Sequence, residues 1–151
     1  MVKIGIDMMG GDFAPLEAIK GAKEFLNEAK NDVHLFLIGE ENAINLHLKN
    51  YNLPEDSFTI VHASQVIEMH EHPTKALKEK TDSSIAIGFH LLSTGKTDAF
   101  ISAGNTGAMM VGSLFSIKTI EGVMRPTIGA YMPRENGGLG LLLDVGLNAD
   151  C

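Results

Sequence analysis

Residues 98–108, Asp-Ala-Phe-Ile-Ser-Ala-Gly-Asn-Thr-Gly-Ala, join a strand to a helix through a short glycine turn. Asp98–Ile101 has the apolar character of a strand, and Ala108–Lys118 that of a helix. Small residues at such a junction let a ligand reach the backbone N–H groups of the helix N-terminus. Those groups and the helix dipole favour anions, phosphate above all. A plain strand–helix turn with an Asn or Thr cap explains the segment about equally well.

The rest of the chain repeats this strand–helix alternation. Ala18, Ala22 and Phe25 recur at three- and four-residue steps and predict one apolar helix face. Val33–Ile38 is nearly all apolar, which is typical of a strand covered on both faces. The predicted strands are Val2–Asp7, Val33–Ile38, Phe58–His62, Asp98–Ile101, Ile128–Met132 and Leu139–Asp144, and the predicted helices are Pro15–Lys30, Glu41–Asn50, Thr74–Lys80, Ser83–Thr94 and Ala108–Lys118.

This order predicts a mostly parallel sheet with helices on both faces. Ligands of such sheets bind at the carboxyl ends of the strands. The turns after the first and fourth strands, and the one after Asp144, would open toward that edge if their strands are parallel. Gly137 and Gly138 predict a hairpin-like connection between the last two strands.

Composition limits the function classes. The chain has 151 residues and a net charge of −7, which suits one globular domain and argues against nonspecific binding to nucleic acid or an anionic membrane. Its single cysteine, Cys151, excludes an intramolecular disulfide and suits a reducing cytoplasm. The chain stops just beyond an apolar strand, without a helix to cover it. We therefore expect it to be the N-terminal α/β part of a longer protein.

The turn after the first strand, Asp7–Asp12, lies where a dinucleotide-binding protein carries its glycine motif, and that motif is absent. Asp7 and Asp12 would repel a pyrophosphate at close range. The two carboxylates could orient a polar substrate, act as a base or hold a metal. A glycine turn with an Asp capping the next helix is the simpler interpretation.

Other polar segments are weaker signals. Ser93–Thr97 contains Gly-Lys-Thr but lacks the earlier glycine of a P-loop and precedes a strand. Glu68–His72 offers two imidazoles and two carboxylates, yet without a third placed ligand a solvated loop is favoured over a metal site. The cations that could contact an anion, each of which could equally be an ordinary surface charge, are Lys75, Lys78, Lys80 and Arg125.

Five ordered motifs resemble those of one family. Residues 6–15, IDMMGGDFAP, are similar to its opening motif, 67–73, IEMHEHP, to its second, and 101–108, ISAGNTGA, to its third. Arg125-Pro126 and 142–148, LLDVGLN, follow in the same order. The chain is identified on these motifs as a member of the bacterial phosphate acyltransferases (acyl-ACP:phosphate transacylases, PlsX). Met8 and Leu147 replace the usual alanines without removing a polar group, and family members are about twice as long.

The resemblance implies a fold and a reaction. The fold is a three-layer α/β fold with a mostly parallel sheet, like the isocitrate and isopropylmalate dehydrogenases and the phosphotransacetylases. Inorganic phosphate attacks the thioester of a long-chain acyl-[acyl carrier protein] and forms acyl phosphate, for phospholipid synthesis. No metal, nucleotide or other cofactor is expected. For a full-length member the resemblance implies a cytoplasmic homodimer, and membrane association would rest on surfaces outside this part.

Within that reaction, the Ser102–Gly107 turn would hold phosphate, and Asn105 and Thr106 would orient it. Asn148 could donate to the thioester oxyanion, whereas Asp12 and Asp144 would orient neighbouring donors, since a carboxylate repels phosphate. The residues assigned to catalysis are Asn105, Asn148, Asp12 and Asp144, and those assigned to phosphate or substrate binding are Ser102, Gly104, Thr106, Gly107, Gly10, Gly11, Lys78 and Arg125.

Three alternatives stay open at this point. A phosphotransacetylase acting on acyl-CoA would share the fold and the phosphate turn. A noncatalytic anion-binding module would bind phosphate and turn nothing over. A decarboxylating dehydrogenase of related fold needs a nucleotide site and metal carboxylates that the sequence does not display.

Overall fold

The computed structural model describes residues 1–29, 32–123 and 126–145. The chain divides into two compact units, Met1–Ile117 and Lys118–Cys151. None of the described helices is long and apolar enough to cross a membrane.

The first unit is a parallel four-stranded sheet of order β3-β2-β1-β4 with five helices around it. In parallel sheets the carboxyl ends of neighbouring strands lie at one edge. The elements of this unit are β1 (Val2–Asp7), α1 (Leu16–Glu28), β2 (Val33–Gly39), α2 (Glu41–Leu48), β3 (Phe58–His62), α3 (Pro73–Glu79), α4 (Ser84–Ser93), β4 (Ala99–Ile101) and α5 (Thr106–Ser116), with a short 3-10 turn at Glu55–Ser57.

Strand β2 shows why the unit has three layers. Leu35 and Leu37 pack with Ile19 of α1 and Ile44 of α2 on one face. Ile38, on the other face, packs with Leu91 of α4. A strand buried on both sides needs apolar residues at successive positions, which is the pattern seen in the sequence.

Helices α3 and α5 pack with α4 in a separate hydrophobic cluster. Ala76 of α3, Phe89 of α4 and Ala108 of α5 form it together with Ile67 from the loop before α3. A Cβ on Gly112 of α5 would lie 2.4 Å from the Phe89 ring, so the two helices approach closely where α5 has no side chain. This cluster supports the N-terminal end of α5.

The second unit contains a two-stranded antiparallel sheet, β5 (Gly129–Pro133) and β6 (Leu139–Leu143). Gly137, with φ of +80°, lies in the connection between the strands. The hairpin predicted from Gly137 and Gly138 is therefore confirmed.

The structure confirms the predicted order of elements and the mostly parallel sheet. Several helix ends differ: α1 ends at Glu28, α2 at Leu48, and α5 begins at Thr106, two residues before the predicted start. The turn after Asp144 is expected at the parallel edge only if its strand is parallel. That condition is not met, because β6 pairs antiparallel with β5 in a separate two-stranded sheet.

Candidate functional site

The site is built where β1 and β4 end side by side. Ile6 pairs with Ile101 in the parallel register, so the residues that follow each strand are neighbours. The Ser102 hydroxyl donates to Asp7 Oδ2 at 2.7 Å and accepts from the Gly104 N–H at 2.9 Å. The other carboxylate oxygen of Asp7 accepts from the Met9 N–H at 2.9 Å. The buried Asp7 carboxylate therefore holds both turns of the site, the one that follows β1 and the one that follows β4.

Two glycines bring the backbones of these turns together. A Cβ on Gly10 would lie 2.5 Å from the Gly104 nitrogen and 2.9 Å from its Cα. Both neighbours are backbone atoms, which have little room to move aside. Gly11 adds a φ of +96°, a conformation that favours glycine. Gly10, assigned above to phosphate or substrate binding, is thus required by the contact between the two turns, and Gly11 by its backbone conformation.

Asn105 caps α5 and binds a second loop. Its Oδ1 accepts from the Ala108 N–H at 2.9 Å, as an N-cap residue does. Its Nδ2 donates to the carbonyl oxygens of Glu68 at 3.0 Å and Glu71 at 3.1 Å, with a longer contact of 3.4 Å to Met69. The residue is 5% exposed, and its side-chain hydrogen-bonding groups are used inside the protein. In this structure Asn105 shapes the turn instead of presenting its amide to solvent.

The first turn of α5 has free donors. Among the described residues, the N–H groups of Thr106 and Gly107 have no acceptor, as expected at a helix N-terminus. Thr106 is exposed. A Cβ on Gly107 would lie 2.4 Å from Cγ of Pro73, so only glycine lets α3 approach α5 here. The arrangement offers two backbone donors and the Thr106 hydroxyl to an anion.

A cavity of about 340 Å³ lies beside these turns, on the α1 side. Asp7, Asp12 and Glu17 are in its lining, so its charge is unfavourable for an anion. Asp12 is exposed and accepts no hydrogen bond from the described residues, whereas Asp7 orients two donors. An anion is therefore favoured at the N-terminus of α5 and not in the depth of this cavity.

The lysines of the α3 region differ in what they contact. Lys80 Nζ donates to Glu71 Oε2 at 2.6 Å and to the Val66 carbonyl at 2.7 Å, so its charge is already paired. The Lys80 ammonium, together with the Glu68 N–H, lowers the pKa of the Glu71 carboxyl below its ordinary value. Lys75 and Lys78 are exposed and form no ion pair within the described residues. Lys75 and Lys78 are therefore the lysines of this region that are available to contact an anion.

The remaining predicted residues fall in different places. His70 and His72 are exposed, and within the described ranges no three His, Cys, Asp or Glu side chains are grouped to hold a metal. Asp144 belongs to the second unit, directly after β6, and its N–H donates to the Ile128 carbonyl at 2.7 Å. Arg125 and Asn148 lie outside the described residues.

Sequence reasoning missed the link from Asn105 to the Glu68–Glu71 loop and the pairing of Lys80 with Glu71. The two stretches that Asn105 joins are more than thirty residues apart. Each stretch is a polar motif in the sequence, but the pattern within one stretch carries no information about its contact with the other. The sequence identifies Asp7 as one of two carboxylates, and its position at the end of a strand is the signal for its role in holding the turns.

Comparisons with known proteins agree on one family. A family model described as "Fatty acid synthesis protein" matches residues 2–151. The chain belongs to this fatty acid synthesis family. Proteins named phosphate acyltransferase are similar to it along its whole length: 45% identity over 150 residues in Dictyoglomus turgidum, 47% over 149 in Halothermothrix orenii and 44% over 151 in Chlorobaculum parvum. The resemblance drawn from the five motifs is thereby confirmed.

This chain spans less than half the length of these relatives. The three matches cover 99%, 99% and 100% of this chain but 44% of each relative. Among solved structures, the EutD phosphotransacetylase from Staphylococcus aureus superposes with a TM-score of 0.64 at 19% identity, covering 99% of this chain and 48% of that one. At that identity the likeness shows a shared α/β fold and nothing finer.

Proposed function

We propose that this chain carries the phosphate-binding part of a phosphate acyltransferase, which transfers an acyl group from acyl-[acyl carrier protein] to inorganic phosphate. The observation that carries the proposal is the pair of N–H groups at Thr106 and Gly107, which have no acceptor in the described part of the chain and lie at the carboxyl edge of the sheet in a member of this family. The family and the names of the relatives point to acyl transfer in fatty acid metabolism.

The proposed reaction depends chiefly on the positioning of phosphate. An oxygen of hydrogen phosphate attacks the thioester carbon, and the new C–O bond replaces the C–S bond. The carrier protein leaves as a thiol with the proton that hydrogen phosphate gives up. Because phosphate is already anionic, holding it in place and stabilising the charge that develops on the thioester oxygen matter more than a strong base. The first turn of α5 would hold phosphate through the N–H groups of Thr106 and Gly107.

The side chains take different parts in this proposal. Thr106 would donate its hydroxyl to phosphate, whereas Asn105 would act through the backbone, because its own amide is used by Ala108 and the Glu68–Glu71 loop. Lys78 and Arg125 would supply positive charge for phosphate or for an acidic carrier protein. Asn148 would donate to the oxyanion, and Asp12 and Asp144 would orient donors.

The finer parts of the proposal concern the whole protein. We propose that the chain is the N-terminal α/β part of a longer enzyme whose fold is like the isocitrate and isopropylmalate dehydrogenases. We further propose that this enzyme is a cytoplasmic homodimer that associates peripherally with the membrane. The share of each relative that the chain covers supports the first of these statements.

The test is acyl transfer in a chimera. The matching N-terminal part of the Halothermothrix orenii phosphate acyltransferase is replaced by this chain, and acyl phosphate is trapped with hydroxylamine after mixing palmitoyl-carrier protein with phosphate. The chain alone is assayed in parallel. Hydroxamate formation by the chimera is expected. Its loss in a chimera with Thr106→Pro, which removes the Thr106 N–H and hydroxyl at the first helical position, where proline is tolerated, would support phosphate binding at the turn.

The acyl donor separates the proposal from its main rival. Palmitoyl-CoA replaces palmitoyl-carrier protein at the same concentration in a second series. A preference for the carrier protein is expected, and a preference for CoA would favour a phosphotransacetylase. Phosphate binding without turnover in the chimera would leave only a noncatalytic anion-binding module.

A further inference from the structure

Lys80 follows α3 directly, and its ammonium is directed at the loop that precedes that helix. Nζ donates to the Val66 carbonyl at 2.7 Å and to Glu71 Oε2 at 2.6 Å. The side chains of Lys80 and Glu71 are 28% and 25% exposed, so most of each is shielded from water. The cation therefore ties both ends of the 66–71 segment to the C-terminal end of α3.

The same segment is held from the other side by Asn105. Glu71 Oε2 also accepts the Glu68 N–H at 2.7 Å, which closes the segment on itself. Asn105 Nδ2 then donates to the Glu68 and Glu71 carbonyl oxygens at 3.0 and 3.1 Å. The residues that Lys80 fixes through Glu71 are thus the ones whose carbonyls orient the Asn105 amide.

The orientation of Asn105 determines how α5 begins. Its Oδ1 accepts the Ala108 N–H at 2.9 Å, and Ala108 is fully buried with Ile67 of the same segment. A shift of the segment would therefore move the capping oxygen or break the cap. Thr106 and Gly107, whose N–H groups have no acceptor among the described residues, lie between Asn105 and Ala108 and would move with it.

We propose that Lys80 is a positioning residue for the phosphate site: through Glu71 and the 66–71 segment it fixes Asn105, and Asn105 fixes the donors at the N-terminus of α5. This inference rests on the proposed function and deepens it. Lys80 would raise phosphate affinity without touching phosphate.

A surface ion pair of the same length gives the matched control. Lys20 Nζ lies 2.6 Å from Glu17 Oε1, but the pair is more exposed, at 43% and 58%, and Lys20 has no other hydrogen-bond acceptor among the described residues. Exposed pairs of this kind contribute little to structure. Lys20→Met removes the same charge as Lys80→Met, so it reports the effect of net charge on anion binding.

The test uses the 151-residue chain with the variants Lys80→Met, Lys80→Arg, Glu71→Gln and Lys20→Met. Amide hydrogen exchange is measured without phosphate at Ala108, and at Ile44 in α2 as a remote site, whose N–H donates to Glu40 at 3.0 Å. The affinity for inorganic phosphate is then measured by calorimetry.

Lys80→Met is expected to speed exchange at Ala108 while leaving Ile44 unchanged, and to weaken phosphate binding about fivefold or more, the lower end of typical coupling between sites. Glu71→Gln should act in the same direction, Lys80→Arg should retain most of the wild-type behaviour, and Lys20→Met should leave Ala108 unchanged.

Unchanged Ala108 exchange in Lys80→Met would overturn the inference. Equal loss of protection at Ala108 and Ile44 in both Lys80→Met and Glu71→Gln would also overturn it, because the pair would then act on global stability. If the wild-type chain binds no phosphate, the proposed function fails, and exchange at Ala108 alone decides whether Lys80 positions α5.

Discussion

The Asp7 carboxylate accepts a hydrogen bond from the Ser102 hydroxyl at 2.7 Å, although the two residues are 95 positions apart in the chain. The contact exists because β1 and β4 are parallel neighbours that end at the same level. Ser102 Oγ accepts the Gly104 N–H in turn, so one buried carboxylate organises the turn that leads into α5.

Ser102→Ala is expected to lower the free energy of unfolding by about 1–3 kcal/mol, because it leaves the Asp7 oxygen and the Gly104 N–H without their partner. Urea unfolding measures the change. Ser93→Ala is the control, since that exposed hydroxyl only donates to the His90 carbonyl in its own helix. Equal stability of the Ser102 and Ser93 variants would contradict the role given to the Asp7–Ser102 contact.

Gly10→Ala is expected to lower the free energy of unfolding by about 3 kcal/mol, since the added methyl group meets the Gly104 backbone at 2.5 Å. Gly21→Ala gives the opposite result from the same chemical change. Gly21 lies in α1 with nothing within 4 Å of an added Cβ, so alanine should stabilise the helix by about 0.5–1 kcal/mol. Thermal and urea unfolding should show a loss of stability for Gly10→Ala and a gain for Gly21→Ala. A Gly10 variant as stable as wild type would show that the turns are not in contact.

Asn105→Ala is expected to cost more stability than the loss of a helix cap alone, which is about 1 kcal/mol. Ser83→Ala is the matched case, because the buried Ser83 side chain caps α4 by accepting the Ala86 N–H at 3.3 Å and is not assigned to the site. The Asn105 variant also leaves the Glu68 and Glu71 carbonyls without their donor. It should lower phosphate affinity as well, whereas Ser83→Ala should not. A similar stability loss in both variants, with phosphate affinity unchanged, would remove Asn105 from the site.

The Glu71 carboxyl is expected to make the stability of the fold depend on pH. Because Lys80 lowers the pKa of the folded-state carboxyl, the ionised form stabilises the fold above the ordinary glutamate pKa of about 4.3. That contribution is lost as the pH falls through the lowered folded-state value. Unfolding curves from neutral pH to pH 3 should therefore show wild type and Glu71→Gln converging in acid.

Asp56→Asn controls for the removal of a carboxylate, because Asp56 is exposed and makes no hydrogen bond or ion pair in the described part of the chain. Its stability difference from wild type should vary less with pH than that of Glu71→Gln. A Glu71→Gln difference that stays constant over the whole range would mean that the Lys80–Glu71 pair adds nothing to the folded state.

The elements of the first unit could be predicted from sequence because each depends on a local pattern. Leu35–Ile38 is apolar at successive positions, and Ala18, Ala22 and Phe25 repeat with the period of a helix. The contacts of the site depend instead on strand order. That β1 lies between β2 and β4 decides that Asp7 meets Ser102, and no pattern within either strand specifies its neighbour.

The roles of individual side chains are harder to predict from sequence, because they too depend on contacts between distant parts of the chain. Asn105 was correctly placed at the start of a helix, but its amide contacts Glu68 and Glu71, which a local pattern does not reveal. From the sequence alone, Lys80 is as good a candidate for an anion contact as Lys75 and Lys78, because all three carry the same charge. The structure separates Lys80 from them by its burial and its pairing with Glu71.

The most direct test of the central claim is a titration of the chain with inorganic phosphate, followed in amide ¹H–¹⁵N spectra at constant ionic strength. We expect saturable shifts of the Thr106 and Gly107 amides and none at Gly95, whose N–H already donates to the Leu92 carbonyl. Chloride at the same ionic strength should shift neither Thr106 nor Gly107. If phosphate does not shift the resonances of these two amides, or shifts that of Gly95 equally, the result would contradict a phosphate site at the N-terminus of α5.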